Sequence, residues 1–137
     1  AGLPSLHRAF RLQDRAAGVG FDWPDVEGPL QKVDEETREV RVELAAMPVR
    51  EGPGPVYDSA HTKLEGELGD LLFAVVNVCR KAGVHPALAL DKANAKFARR
   101  FQAIETKAKE RGVEVRTAGL EALDKIWDEV KLEESSS

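Results

Sequence analysis

Apolar residues return every three or four positions along most of the chain, and no stretch alternates apolar and polar residues as a β-strand would. This pattern predicts an all-α fold, a bundle of about five helices. The predicted helices cover residues 4–17, 29–46, 61–82, 86–111 and 120–131. In the first of them, Leu6, Phe10 and Leu12 are candidate core residues.

Two segments break the helical pattern. The stretch GFDWPDVEGP, residues 20–29, is predicted to be a loop because Asp, Pro and Gly crowd together there. Its Phe21 and Trp23 could pack against the protein or contact a base, and we expect them to pack. The stretch rich in Pro and Gly at residues 48–60 is predicted to be a flexible loop.

The length of 137 residues corresponds to one domain, which buries about two-thirds of the surface of the unfolded chain. We therefore expect residues 1–137 to form a single domain. The polar residues 132–137 are expected to form a frayed tail.

The third helix opens with acidic residues and glycines before an apolar run, Leu71 to Val76, that is predicted to enter a core. Thr62 and Glu65 fit a capping box, which accounts for one acid. Glu67 and Asp70 are three residues apart and share a face beside the apolar run, so helix capping explains them less well.

Gly66 and Gly69 lie between these acids. A glycine inside a helix costs about 1 kcal/mol relative to alanine. Two of them predict either a frayed first turn or a group that approaches the backbone closely.

The second helix carries a matching acid pair, Glu36 and Glu39, also three residues apart. Packed against the third helix, this pair would meet Glu67 and Asp70. Four carboxylates cannot all stay ionised at close range without cations, and a site made only of oxygen ligands suits Mg²⁺ or Mn²⁺.

Other metal centres fit the sequence less well. Di-iron carboxylate bundles need Glu-x-x-His on two helices, and His7, His61 and His85 do not supply that motif. A zinc site lacks ligands as well.

The fourth helix carries a cationic strip, in which Lys92, Lys96 and either Arg99 or Arg100 recur at helical spacing. Such a strip is most often a solvated helix face. Beside a carboxylate metal site, however, it would bind phosphate, and the two features together describe a polyphosphate site.

Charge and composition narrow the functional class. The net charge is −4, which argues against a surface for nucleic-acid polymers. The single Cys79 lies in an apolar run, and the sequence shows neither a leader pattern nor an apolar span long enough for a membrane. We therefore expect a cytoplasmic protein without a membrane partner.

The motifs EETRE, residues 35–39, and ELGD, residues 67–70, match the E-E-x-x-E and E-x-x-D signature of the MazG family of nucleoside triphosphate pyrophosphohydrolases. The stretches VGFDWPD, GDLLFAVVNVCRKAGVHPALAL, KANAKFARRF and LDKIWDEVK also resemble that family. The 48–60 segment departs from it. Many family members also carry two such domains in tandem, whereas this sequence carries one.

The resemblance implies an all-α fold that assembles as a homodimer or tetramer. It also implies Mg²⁺-dependent hydrolysis of nucleoside triphosphates to monophosphate and pyrophosphate, with Mn²⁺ as a substitute metal. The implied cellular role is house-cleaning, the removal of unwanted nucleotides from the nucleotide pool. The implied metal ligands are Glu36, Glu39, Glu67 and Asp70, and the implied substrate-binding residues are Lys63, Lys96, Arg100, Trp127 and Lys131. Glu35 is the candidate for orienting or deprotonating the attacking water.

Several alternatives stay open. Trp127 fits a base-stacking role and an anchoring role in the core equally well. The chain also fits a narrower relative, such as an all-α dUTPase or a phosphoribosyl-ATP pyrophosphohydrolase. The chain also fits a non-enzymatic helical module for interaction or regulation, in which the acidic residues only keep the helix ends hydrated.

Overall fold

A computed structural model of the protein describes residues 4–48, 50 and 52–136. It is 78% helical, and no strand occurs among the described residues. The described part of the chain forms six helices: α1 Ser5–Gly18, α2 Glu27–Ala45, α3 Ser59–Lys81, α4 Pro86–Glu110, α5 Val115–Ala118 and α6 Leu120–Ser136. The predicted all-α fold class is confirmed.

The start of α3 differs from the prediction. Asp58 is the N-cap in extended backbone conformation, and its carboxylate accepts a hydrogen bond of 2.8 Å from the backbone N–H of His61. Thr62 lies inside the helix, where its hydroxyl donates to the Asp58 carbonyl at 2.9 Å. The predicted capping box is therefore wrong, because a stronger acceptor four residues earlier caps the helix.

Gly66 and Gly69 lie within α3, so a frayed first turn is also wrong. A Cβ atom added at either position would meet no side chain, and no backbone outside its own turn, within 4 Å among the described residues. The rest of the described chain therefore does not require glycine at these two positions.

Other helix ends also differ from the predicted ones. The α2 helix begins at Glu27, inside the predicted loop, and the short α5 was not expected from the sequence. The α6 helix continues to Ser136, past the predicted end at Lys131. The hydroxyls of Ser135 and Ser136 donate to carbonyls one turn earlier, which satisfies groups at the end of this helix.

The chain divides into two compact units, Ala1–Ala87 and Leu88–Ser137. A single domain over residues 1–137 stays a prediction. In the first unit α3 packs mainly against α2 and also against α1. Val40, Ala74 and Val76 are buried there, whereas Leu12 is 44% exposed and is not the core residue expected.

The apolar run after Asp70 enters the core only in part. Leu72 is 61% exposed, and Phe73 and Val75 are also exposed. The prediction that this run enters a core is therefore confirmed only in part, since Ala74 and Val76 are the buried members. None of the described helices is by itself long and apolar enough to cross a bilayer.

The second unit is built on α4 and α6. Ile104 and Ala108 of α4 form a buried cluster with Ile126 and Val130 of α6, and Trp127 packs at its edge.

Candidate active site

Acids from two helices converge in the first unit. Glu36 of α2 meets Glu67 and Asp70 of α3, and one carboxylate oxygen of each lies within 4.8 Å of the others. Glu36 is buried at 4% exposure, while Asp70 is exposed. Spacings of three residues place each helix's acids on one face, and the packing of α2 against α3 brings the two faces together.

The two oxygens of Glu36 have different environments. One accepts from Nζ of Lys32 at 3.1 Å, whereas the other, Oε2, is buried and has no hydrogen-bond partner among the described residues. A buried acceptor without a partner costs about 1–3 kcal/mol. A hard cation held by carboxylate oxygens would satisfy this atom, so these residues fit Mg²⁺ or Mn²⁺.

Glu39 belongs to the same cluster. A hydrogen bond with the Glu67 carboxyl group, together with the negative charge of Glu36, raises the pKa of Glu39 above its ordinary value. Like charges that crowd together produce this direction of shift. Glu35 lies beside the cluster, half exposed, with its carboxylate 3.5 Å from Nζ of Lys32.

Two of the predicted substrate-binding lysines differ in their surroundings. Lys63 of α3 pairs with Glu43 of α2 at 3.0 Å, and this carboxylate raises the pKa of Lys63. Lys96 of α4 is exposed on a shallow groove that it shares with Lys92 and Arg99.

The other predicted substrate residues lie in the second unit. Arg100 donates from Nε to Glu134 at 2.9 Å, and its guanidinium carbon lies 5.4 Å from the ring centroid of Trp127. The Trp127 ring also contacts Phe97, with centroids 5.8 Å apart. Lys131 is exposed one turn after Trp127.

Sequence comparison connects this geometry to known proteins. Over 132 residues, 96% of the chain is 44% identical to the nucleoside triphosphate pyrophosphohydrolase of Escherichia coli K12. Over 129 residues, 94% of the chain is 37% identical to the nucleoside triphosphate pyrophosphohydrolase/pyrophosphatase MazG of Thermotoga maritima. The chain is similar in sequence to part of each of these pyrophosphohydrolases.

The similarity covers only part of each relative. The chain spans about half the length of these curated relatives, 46% and 45% respectively. No protein-family model matches the chain. The resemblance to MazG inferred from the acid motifs is thus confirmed, whereas the roles of individual residues stay predictions.

The sequence interpretation missed two charged residues beside the MazG-like acids. Lys32 neutralises one oxygen of Glu36, and Glu43 pairs with Lys63 across the two helices. Lys32 could have been found from its spacing of four residues to Glu36. The pair of Glu43 with Lys63 depends on the register between α2 and α3, which no sequence pattern specified.

The loop after α1 holds another set of contacts that the sequence did not reveal. Arg80 of α3 donates to the carboxylate of Asp22, and Nζ of Lys81 lies 3.3 Å from that carboxylate. The Arg80 hydrogen bond holds the pKa of Asp22 well below its ordinary value. This ion pair fastens the loop to α3.

Trp23 of that loop packs closely against Gly28, since a Cβ atom at position 28 would lie 2.3 Å from the indole ring. Phe21, in contrast, is 82% exposed, so the expectation that it packs is wrong. The loop, α1 and α3 enclose a cavity of about 340 Å³. Its lining includes Gln13, Phe21, Trp23, Phe73, Asn77 and Arg80.

Proposed function

We propose that this chain hydrolyses nucleoside triphosphates to nucleoside monophosphate and pyrophosphate, with Mg²⁺ as its metal and Mn²⁺ as a substitute. The observation that carries the proposal is the acid cluster of Glu36, Glu67 and Asp70, in which a buried carboxylate oxygen has no partner among the described residues. The homology to pyrophosphohydrolases supports the same reaction.

Within this proposal, Glu36, Glu67 and Asp70 hold the metal, and Glu39 joins them through its contact with Glu67. Bound Mg²⁺ would neutralise triphosphate charge and polarise the phosphoryl oxygens. Glu35 orients or deprotonates the attacking water. Its half-exposed carboxylate leaves it accessible to water beside the cluster.

The cationic residues bind the triphosphate in the same proposal. Lys96 and Lys131 are exposed, so their ammonium groups are accessible to a phosphate. Arg100 and Trp127 already contact each other, and a ligand that binds them would exchange the Glu134 carboxylate for a phosphate. Lys63 would make a similar exchange with Glu43.

We also propose that the protein assembles as a homodimer or tetramer in the cytoplasm, without a membrane or nucleic-acid polymer as partner. The assembly is supported by exposed apolar residues at helical spacing on α3, namely Leu68, Leu72 and Val75. The net charge of −4 and the single cysteine support the remaining expectations.

Hydrolysis in ¹⁸O-labelled water with Mg²⁺ tests the reaction. Attack at the α-phosphorus places the label in the nucleoside monophosphate and releases unlabelled pyrophosphate. A parallel reaction with excess chelator should release nothing. Labelled orthophosphate with nucleoside diphosphate as co-product would contradict the proposed reaction.

A further inference from the structure

Two histidines join α1 to the residue that precedes α4. Nδ1 of His7 and Nε2 of His85 are 3.3 Å apart, and the two rings stack with their centroids separated by 5.4 Å. The His85 ring also stacks on Phe10, one turn after His7 on α1, at a centroid distance of 5.1 Å. Both histidines are half-buried and belong to the first unit. The contact therefore lies inside one compact body.

His85 is the N-cap of α4. It immediately precedes Pro86, the first residue of the helix, and its Nδ1 accepts a hydrogen bond of 3.2 Å from the backbone N–H of Ala87. Proline has no N–H, so Ala87 carries the first N–H group of α4 that needs an acceptor outside the helix. The cap therefore depends on a lone pair at Nδ1 of His85.

The contact with Ala87 fixes the positions of the protons on both rings. A backbone N–H only donates, so Nδ1 of His85 carries a lone pair and the proton of the neutral ring is on Nε2. This Nε2–H donates to His7, whose Nδ1 must then be an acceptor. A metal ion between the rings would need the Nε2 lone pair of His85, which this tautomer does not have. The geometry therefore describes two neutral rings whose acceptor nitrogens are both occupied.

This arrangement has no place for an additional proton. A proton on Nδ1 of His85 would set two donors against each other and remove the cap of α4. A proton on Nδ1 of His7 would do the same between the two rings. A charged His85 would also lie at the positive end of the α4 dipole. Protonation of the pair must therefore break one of its two hydrogen bonds.

The surrounding side chains do not compensate for such a charge. Titratable residues on the elements that meet the pair are Arg8, Arg11 and Asp14 of α1, Cys79, Arg80 and Lys81 of α3, and Asp91 of α4. Among the described residues, none of them makes a hydrogen bond or ion pair with either ring, and Arg80 and Lys81 both pair with Asp22. Asp14 shares a face with His7 but lies about 10.5 Å further along the helix axis. No carboxylate is therefore in position to stabilise an imidazolium here, as Asp58 is for His61.

We propose that His7 and His85 form an acid-sensitive clasp, in which two neutral rings hold α1 to the start of α4 and one added proton releases them. In the described part of the chain, the other side-chain hydrogen bond from α1 to the rest of the first unit runs from Gln13 to the Phe73 carbonyl, at 2.9 Å. Release of the clasp therefore removes a large part of the polar contacts that dock α1. This inference does not rest on the proposed function.

The direction of the pH effect follows from the neutral rings. The folded protein favours the unprotonated pair, whereas the unfolded chain takes up protons freely below about pH 6.5. The stability that the clasp contributes is thus present above about pH 6.5 and is lost as the pH falls towards 5.

The first test measures the tautomers directly. Two-bond ¹H–¹⁵N correlation spectra at about pH 8 distinguish protonated from bare ring nitrogens, and the variants His7→Gln and His85→Asn assign the signals by removing them. Both rings of the pair should carry their proton on Nε2. A proton on Nδ1 of His85 would overturn the clasp, because that nitrogen could not then accept from Ala87.

The second test compares thermal stability across pH. His85→Asn keeps a preferred N-cap whose amide does not titrate in this range. Between about pH 7.5 and pH 5.5, the Tm of the parent should fall about 3–6 °C more than that of this variant, the effect of one lost hydrogen bond. In His7→Gln, which keeps an acceptor towards Nε2 of His85, the fall should be intermediate. Equal falls in the parent and both variants would overturn the proposal.

His61→Gln is the matched control. Nδ1 of this third histidine lies 2.8 Å from the Asp58 carboxylate, so it can take up a proton without losing that contact. The Tm of this variant should fall with pH at least as much as that of the parent. A pH dependence that disappears in His61→Gln and persists in His85→Asn would overturn the clasp.

Hydrogen exchange gives a measurement at the cap itself. In the parent, the protection factor of the Ala87 amide should drop severalfold between about pH 7.5 and pH 5.5, since its acceptor is lost. In His85→Asn the protection factor should stay constant. Constant protection of Ala87 in the parent would overturn the clasp, even if a variant failed to fold.

Discussion

The acids of the first unit and the cations of the second differ in how far other side chains neutralise their charge. Among the described residues, no ion pair reaches Glu39, Glu67 or Asp70, and the hydrogen bond with Glu67, together with nearby negative charge, raises the pKa of Glu39. In the second unit, three cations of α4 and its C-terminal end already have carboxylate partners on α6. These pairs are Arg100 with Glu134, Lys107 with Glu133, and Arg111 with Glu129.

The difference indicates what each region requires from a ligand. Repulsion among the acids favours an added cation, because the cation removes an unfavourable charge arrangement. The paired arginines gain less from an added anion, since phosphate must first replace a carboxylate. Metal binding should therefore depend on the acids more strongly than substrate binding depends on any one of the paired cations.

The largest expected effect is on catalysis at Asp70. Asp70→Asn should lower kcat/KM for pyrophosphate release about a thousandfold, because a lost metal ligand weakens charge stabilisation in the transition state. Asp70 is exposed, so circular dichroism should show unchanged helicity. Glu65→Gln is the matched control, an exposed acid on the same helix outside the cluster. Activity above about a tenth of normal in Asp70→Asn would mean that this acid does not hold the metal.

A smaller effect should appear in thermal stability. Mg²⁺ at about 100 times its Kd should stabilise the protein by about 2.7 kcal/mol, measured as a rise in Tm. Glu67→Gln should melt no lower than the parent without metal, because it removes a like charge, and should lose most of the rise with metal. An equal metal-induced rise in the variant and the parent would show that the cation binds elsewhere.

A further effect that separates the two regions concerns Arg100. Arg100→Ala should cost roughly 2–4 kcal/mol in kcat/KM if the guanidinium stabilises phosphate charge, and Arg100→Lys should restore only part of it. The surface ion pair with Glu134 contributes about 0–1 kcal/mol, so the melting temperature should fall only slightly.

Arg99→Ala is the control for Arg100, one residue away and about 100° around the helix. Equal and small losses of kcat/KM at the two positions would show that the cationic strip of α4 is an ordinary solvated helix face. The triphosphate would then have no partner at this part of α4.

The acid cluster could be predicted from the sequence because its spacings act locally. Residues three apart must share a helix face, so the pairs of α2 and α3 were found without any tertiary information. The same reasoning predicted the all-α fold. The predicted entry of the run after Asp70 into the core is correct only for Ala74 and Val76, since apolar character does not reveal which face of a helix has a neighbour.

Contacts across long sequence separations could not be predicted in this way. Asp22 and Arg80 are 58 residues apart, and Gln13 reaches Phe73 over 60 residues. The contact of Trp23 with Gly28 is short in sequence, yet it depends on how the loop folds back onto α2. The α3 cap was missed for a local reason, because two acceptable caps competed and only backbone conformation decided between them.

Gly66 and Gly69 have a consequence for how this chain has been selected. Alanine fits at both positions and would strengthen the helix by about 1 kcal/mol each, so the chain forgoes stability that two simple substitutions would supply. Interior packing does not explain that loss. Selection for glycine at these two positions is therefore expected to come from a group that approaches the outer surface of α3. Variants with alanine there would be more stable than the parent but would function less well.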